Sequence, residues 1–341
     1  MTTPSNPATE TTTGPAPKRA TAKRATAFGN RQQLQQVLAF AGLVVIFAFF
    51  SFASPYFLDW ANVKGILLAT AVTGIMALGA TFVIATGGID LSVGTGMTLC
   101  SVMTGVFLAN LGLPLVVGVL GGLAIGALIG LLNGLNVSYL RLPPFIATLA
   151  MMMVAQGLSL VISGTKPIYF SEVGGFDQLA AGELVPGLPN AVLIFFVAAV
   201  IAGVTLSKTL TGRYALSIGS NEEATAISGV DVRRWKVVIY TVAGLFTGLA
   251  GVVMASRLNS AQPGLGLGYE LEAIAAVVIG GTSLRGGKAT ILGTVIGALI
   301  MATLTNGLRI MSIPQEWQKV AVGIVIVLAV YADMLRRGKE A

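Results

Sequence analysis

The chain has 341 residues, of which 55% are hydrophobic and 10% charged, with 43 glycines and a mean hydropathy of +0.84. No water-soluble domain tolerates that balance, so the fold class it predicts is all-α, polytopic in a lipid bilayer. The net charge of +7 reports orientation rather than nucleic acid, because basic and aromatic residues are nowhere interleaved as a base-stacking surface requires. A single cysteine, Cys100, and the lack of histidine exclude an internal disulfide, cysteine–histidine catalysis, histidine-bearing metal sites and histidine proton relays.

Residues 1–33 are rich in Thr, Ala and Pro and carry Lys18, Arg19, Lys23 and Arg24, which predicts a disordered basic cytoplasmic tail ahead of a membrane domain over 34–341. Apolar runs follow at 36–54, 65–86, 93–110, 113–135, 144–163, 190–207, 236–256, 270–281, 289–308 and 318–335. That is about ten transmembrane helices, the eighth too short to span comfortably. With the N-terminus inside, 16 of the 21 basic residues fall in inner segments and only Lys64, Lys166, Arg257, Arg309 and Lys319 fall outside. Both termini are therefore expected in the cytoplasm. The longest outer segment, 164–189, is long enough to touch an extracytoplasmic partner, and reads equally as a loose connector.

Asp90, followed by Ser92 in the turn before the third span, is flanked by Gly87, Gly88 and Gly94. Its carboxylate suits capping of that span better than gating of a path. Gly118, Gly122, Gly126, Gly130 and Gly134 recur every four residues, a stripe about 24 Å long at 1.5 Å per residue that predicts helix packing rather than a site. Gly244/Gly248 and Gly293/Gly297 repeat the spacing. Ile125 to Ile129, IGALI, recurs at Ile296 to Ile300, and Asn133-Gly134-Leu135 recurs as Asn306-Gly307-Leu308. These residues are common in membrane helices, but two matches in one order, in the fourth and ninth spans, predict an inverted internal repeat.

Between two apolar runs lies the longest polar interruption, 208–236, which contains Arg213. Ser220 with Glu223 three residues on predicts a capping box; Asn221 and Glu222 complete the helix start, Gly229 can end it, and Asp231 can cap the next helix. Such a helix exposes Ala224, Ile227 and Ser228 on one face, suited to a groove on a partner. Taken alone it reads first as a linker whose helix tidies a loop, since short capped helices are common. The segment Gly281 to Ala289 imitates a phosphate-binding loop and fails, with Thr282 in place of the first glycine and no hydroxyl after Lys288. Glu270 and Glu272 open the eighth run, where helix-start carboxylates are favoured. Nothing charged lies mid-span, which disfavours an ion-coupled symporter; the neutral groups available to a path are Asn133, Gln156, Asn259, Gln262 and Asn306. A membrane-embedded enzyme is remote for want of clustered nucleophiles and bases.

Glu223-Ala224-Thr225 followed by Gly229 resembles the EAA-x-x-x-G coupling motif of ABC-importer permeases, with Thr225 in the second-alanine place and Val230 where isoleucine is expected. Together with Gly87 to Gly94, Pro144 to Leu149, Gly219 to Gly229 and Ser260 to Leu284, it is similar to the membrane permease of ribose-type ABC sugar importers, over about 36–335. The resemblance implies a non-catalytic permease of the bacterial cytoplasmic membrane that binds no cofactor, paired with a second copy of itself. A separate ATP-binding protein would use ATP and Mg, and an extracytoplasmic binding protein would deliver a monosaccharide, ribose first among candidates. The alternative is an ion-coupled secondary sugar transporter. Expected coupling residues are Arg213, Ser220, Asn221, Glu222, Glu223, Ala224, Ile227 and Gly229. Expected path residues are Asp90, Ser92, Asn133, Gln156, Asn259, Gln262, Glu270 and Glu272.

Overall fold

The computed structural model describes the backbone of residues 18–338 and the side chains of 36–331 and 334. The tail expected over 1–33 lies outside the described residues up to position 17; from there the backbone already belongs to the first helix, so no break separates tail from membrane domain at 33. Thirteen helices are described: α1 (Lys18–Ala53), α2 (Trp60–Ala85), α3 (Val93–Gly105, continued by a π-helical turn Val106–Asn110), α4 (Leu115–Ser138), α5 (Pro144–Ser163), α6 (Phe176–Ala181), α7 (Asn190–Lys208), α8 (Leu210–Ser220), α9 (Glu222–Ile227), α10 (Val232–Leu258), α11 (Tyr269–Ile279), α12 (Ile291–Ile310) and α13 (Gln315–Gly338). Two short strands, β1 (Ile168–Tyr169) and β2 (Ser260–Ala261), pair antiparallel.

Eight of the ten apolar runs coincide with helices long and apolar enough to cross a membrane. The others differ in kind: α11, with 11 residues, rises only about 16 Å, and α13 is not among the eight. The hydrophobic windows of α2, α3 and α10 are 83%, 72% and 67% buried inside the protein, against 11% for α1, so these three form the centre and α1 leaves its apolar face outward. In a bilayer such a face is solvated by lipid and needs no protein cover.

α4 lies along α10 because neither helix has side chains at the seam. A Cβ on Gly126 would strike the Gly244 carbonyl, one on Gly130 the Tyr240 carbonyl, and one on Gly134 would sit 2.7 Å from Val237 Cα; Gly122 meets Thr104 and Val252, and Gly118 meets Leu108. Gly244 and Gly248 return the contact from α10. Gly293 and Gly297 do the same for α12 against Gly280 and Ala276. α10 also packs on α2 and α3, and α2 on α11 and α12; α3 packs on α4 and α5, as α11 does on α12 and α13.

Segment 164–189 is an ordered cap, not a loose connector. β1 pairs with β2, Phe170 and Phe176 are buried with ring centroids 4.3 Å apart, and the Ser256 hydroxyl donates to the Phe176 carbonyl at 2.6 Å. Asn190 and the Glu183 to Lys64 ion pair close its far end.

Candidate functional site

The polar segment 208–236 forms two helices rather than one. α8, which the sequence reading missed, ends at Ser220, and this corrects the capping box: the last helical residue of α8 cannot also be the extended residue that opens α9. Asn221 is that residue, at φ −159° and ψ 103°, and its side chain accepts the Ala224 N–H at 2.9 Å. Glu222 and Glu223 still occupy the first turn, and Glu222 pairs with Lys236 of α10 at 2.7 Å. Gly229 follows the helix at φ +85°, a conformation that disfavours any Cβ, and Asp231 caps α10 by accepting the Arg234 N–H at 3.1 Å. Ala224 and Ser228 are exposed and Ile227 is 81% exposed, an apolar face offered outward. Thr225, in the second-alanine place, turns inward instead; its hydroxyl donates to the Asn221 carbonyl at 2.8 Å. Arg213 is exposed on α8.

This pair of helices is held to the core by backbone. Gly219 leaves no room for a side chain against the Ala85 carbonyl and Gly287, while Gly286 and Gly287, at φ +83° and +75°, bend the α11–α12 turn under it. Gly287 N–H donates to the Ala85 carbonyl at 2.9 Å. The ends of α2, α8 and the α11–α12 turn therefore meet at one joint, and Tyr214 against Trp235, centroids 4.7 Å apart, ties α8 to α10. Beside α9 opens a cavity of about 960 Å3 lined by the α4–α5 turn, Glu222, Glu223, Arg233 and Lys236.

The expected path residues lie in separate parts of the fold. Asp90 does not cap α3: Ser92 stands at the N-cap position, and Asp90, two residues upstream, reaches only far enough to accept the Ser92 N–H at 2.8 Å and hydroxyl at 2.6 Å. Asn133 of α4 donates to the Ser92 hydroxyl at 2.8 Å, and Thr148 of α5 accepts the Leu91 N–H at 3.1 Å. All of Asp90, Ser92, Asn133 and Thr148 are buried, so they clamp the α2–α3 turn onto α4 and α5. Gln156 is half-buried on α5 and Asn306 on α12. Asn259 is exposed at φ +48° and ends α10, and Gln262 donates to the Ser260 hydroxyl at 3.0 Å.

Glu270 and Glu272 part company. Glu270 is buried against Gly94 of α3 and accepts the Gly268 N–H at 3.0 Å, the helix-start role expected of it. Both line a cavity of about 850 Å3 at the opposite end of α10 from α9, with Thr73, Arg257, Tyr269 and Arg309. Arg257 and Arg309 were read in the sequence only as orientation markers. The signal that finds them is their position in the last turns of α10 and α12, beside two glutamates only when the chain is folded.

The model of a family described as the permease component of the branched-chain amino acid transport system matches residues 62–330. The ribose import permease protein RbsC of Bacillus subtilis (strain 168) is 44% identical over 301 residues, 88% of this chain and 93% of that one. This chain belongs to the ribose-type ABC sugar permeases. The L-arabinose ABC transporter permease protein AraH of Azospirillum brasilense is 34% identical to this permease over 96% of each chain, and the D-allose transport system permease protein AlsC of Escherichia coli (strain K12) 36% over 86% of this chain and 90% of that one. The permease is thus a multi-pass protein of a sugar ABC import system.

Proposed function

We propose that the permease is the membrane subunit of an ATP-driven importer for a monosaccharide, ribose first, working as a pair of identical copies. ATP and Mg are used by a partner ATPase, which seats on the Ala224–Ile227 face of α9, and an extracytoplasmic binding protein delivers the sugar at the other end. The observation that carries this reading is α9 itself: a helix capped at both ends, exposing Ile227, yet joined through Gly219 to the ends of α2 and the α11–α12 turn. When nucleotide draws the two ATPase domains together, a push on α9 passes through that joint and through Lys236 into α10, a central helix. The permease itself performs no covalent chemistry and binds no nucleotide.

The packing supports an inverted repeat. Exchanging α2 with α10, α3 with α11, α4 with α12 and α5 with α13 turns the α4–α10 contact into α12–α2, α3–α10 into α11–α2, and α3–α5 into α11–α13. Two equivalent packings of this kind open a shared path to either side of the membrane. The 16 to 5 distribution of basic residues supports an orientation with α9 and both termini inside.

The test is ribose uptake into proteoliposomes holding this permease, its partner ATPase and the binding protein. Glu223→Lys and Gly229→Leu are expected to leave ATP hydrolysis running while uptake falls at least tenfold. Normal uptake in both variants refutes the coupling role of α9. Uptake that collapses with the proton gradient at constant ATP restores the ion-coupled reading.

A further inference from the structure

The cavity at the far end of α10 gathers five charges from four helices. Arg257 ends α10, Arg309 ends α12, Glu270 and Glu272 start α11, and Lys319 stands in the first turns of α13, with Thr73 of α2 and the Tyr269 ring on the wall. The α10 helix is 27 residues long, about 40 Å, so this cavity is separated by the depth of a bilayer from the one beside α9. Among the described residues the ion pairs within 4.0 Å are Lys64 with Glu183 and Lys236 with Glu222, so none of the five charges is paired with another. Charges brought together in this way ordinarily close on each other. Here they stand around a space, with Glu270 turned to the Gly268 N–H and Glu272 beside Thr73.

We propose that this cavity is a binding site for one neutral monosaccharide, with Glu272, Arg257 and Arg309 taking its hydroxyls and Tyr269 its ring face. A sugar hydroxyl both donates and accepts; carboxylates only accept and guanidiniums only donate, so a mixed set meets a polyol at either function. The lining, two acids and three bases counting Lys319, offers acceptors and donors together. A volume of about 850 Å3 lies within the range of small-molecule sites, which run from about 300 to 1,000 Å3. Glu270, fixed against Gly94 and the Gly268 N–H, anchors the start of α11 and thereby positions Glu272. The inference rests on the importer reading, and adds to it the place where the sugar waits after leaving the binding protein.

The experiment uses the assembled transporter in vesicles, with radiolabelled ribose carried by its binding protein. Glu272→Gln, close in shape to the native residue, and Arg257→Met, which keeps the aliphatic stem, are compared with wild type. The expected result is a fall of at least tenfold in the maximal uptake rate of both variants, with an unchanged KM for the loaded binding protein and unchanged stimulation of ATP hydrolysis by it. Uptake at the wild-type rate overturns the site. A raised KM or lost stimulation also overturns it, since these report docking or folding. So does a wild-type rate that follows the vesicle's content of anionic lipid through Arg257, which assigns the cavity to a headgroup. Absence of any ATP-dependent sugar uptake by wild type strikes the importer reading instead, and is distinguishable because it appears before a variant is made.

Discussion

The two ends of α10 are built by different rules. At one end, the elements that present α9 are nearest neighbours in the chain: Asn221 caps what directly follows it, Gly229 stops it, Asp231 starts the next helix, and Glu222 reaches Lys236 only 14 residues away. At the other end nothing is local. Thr73, Arg257, Glu272 and Arg309 come from four helices spread over most of the chain. A local device keeps its shape when its surroundings move, whereas a cavity assembled from four helices changes shape whenever they shift. That is the division of labour expected of a foothold and a path.

Both ends depend on the seam between them, and breaking it produces the largest effect. At Gly130 a Cβ falls on the Tyr240 carbonyl, so Gly130→Leu is expected to cost about 3 kcal/mol or to prevent folding, because backbone cannot yield as a side chain can. Gly157, on the outer face of α5 with nothing within 4 Å of its Cβ position, provides the contrast. Thermal unfolding in detergent should show a marked drop for Gly130→Leu and no resolvable change for Gly157→Ala. Equal midpoints refute the seam.

The same distinction explains what could be read from the sequence. The glycine stripe on α4 was legible because helix periodicity alone puts Gly118 to Gly134 on one line, and its partner glycines on α10 carry the same spacing. The cap at Asp231 and the stop at Gly229 were legible because each acts on its own neighbours. Ser220 was assigned the capping role because the sequence does not show that α8 exists to absorb it: Leu210 to Ser220 is too polar to announce a membrane helix and has no side-chain cap to mark its start. Asp90 looked like a cap since only folding reveals Asn133 and Thr148 beside its turn. Arg257 and Arg309 stayed invisible as site residues for the reason that makes them interesting, a separation of 52 positions that only the packing of α10 and α12 closes.

The cap provides a smaller test. Asn221→Ala removes the side chain that accepts the Ala224 N–H and is expected to cost α9 about 1 kcal/mol, while Asn221→Asp retains the acceptor. Ser220→Ala should change little, since Ser220 only ends α8. Measured as ribose uptake per ATP hydrolysed, Asn221→Ala should lower the ratio several-fold and the other two should stay near wild type. The reverse order would return the cap to Ser220.

The smallest effect sits at the outer end, in the cap over 164–189, and it bears on whether that end is as fixed as the seam. Glu183 is held below its ordinary pKa of 4.5, first by the hydrogen bond from Lys64 and then by the Gly187 N–H, which it accepts at 2.7 Å. A depressed carboxylate pKa means that the pairing stabilises the cap fully above 4.5 and is lost as pH falls through the lower folded value. The pair is exposed, so the gain is small and screened by salt. Trp60 lies against Gly187, 3.8 Å from its Cβ position, and reports the event directly once Trp235 and Trp317 are changed to Phe. Its emission should hold steady from pH 7 to 5 and shift reversibly below, and Glu183→Gln should show the shifted emission at every pH. If the emission ignores pH throughout, the loop is held by Phe170, Phe176 and the two strands alone, and the outer end is as rigid as the glycine seam.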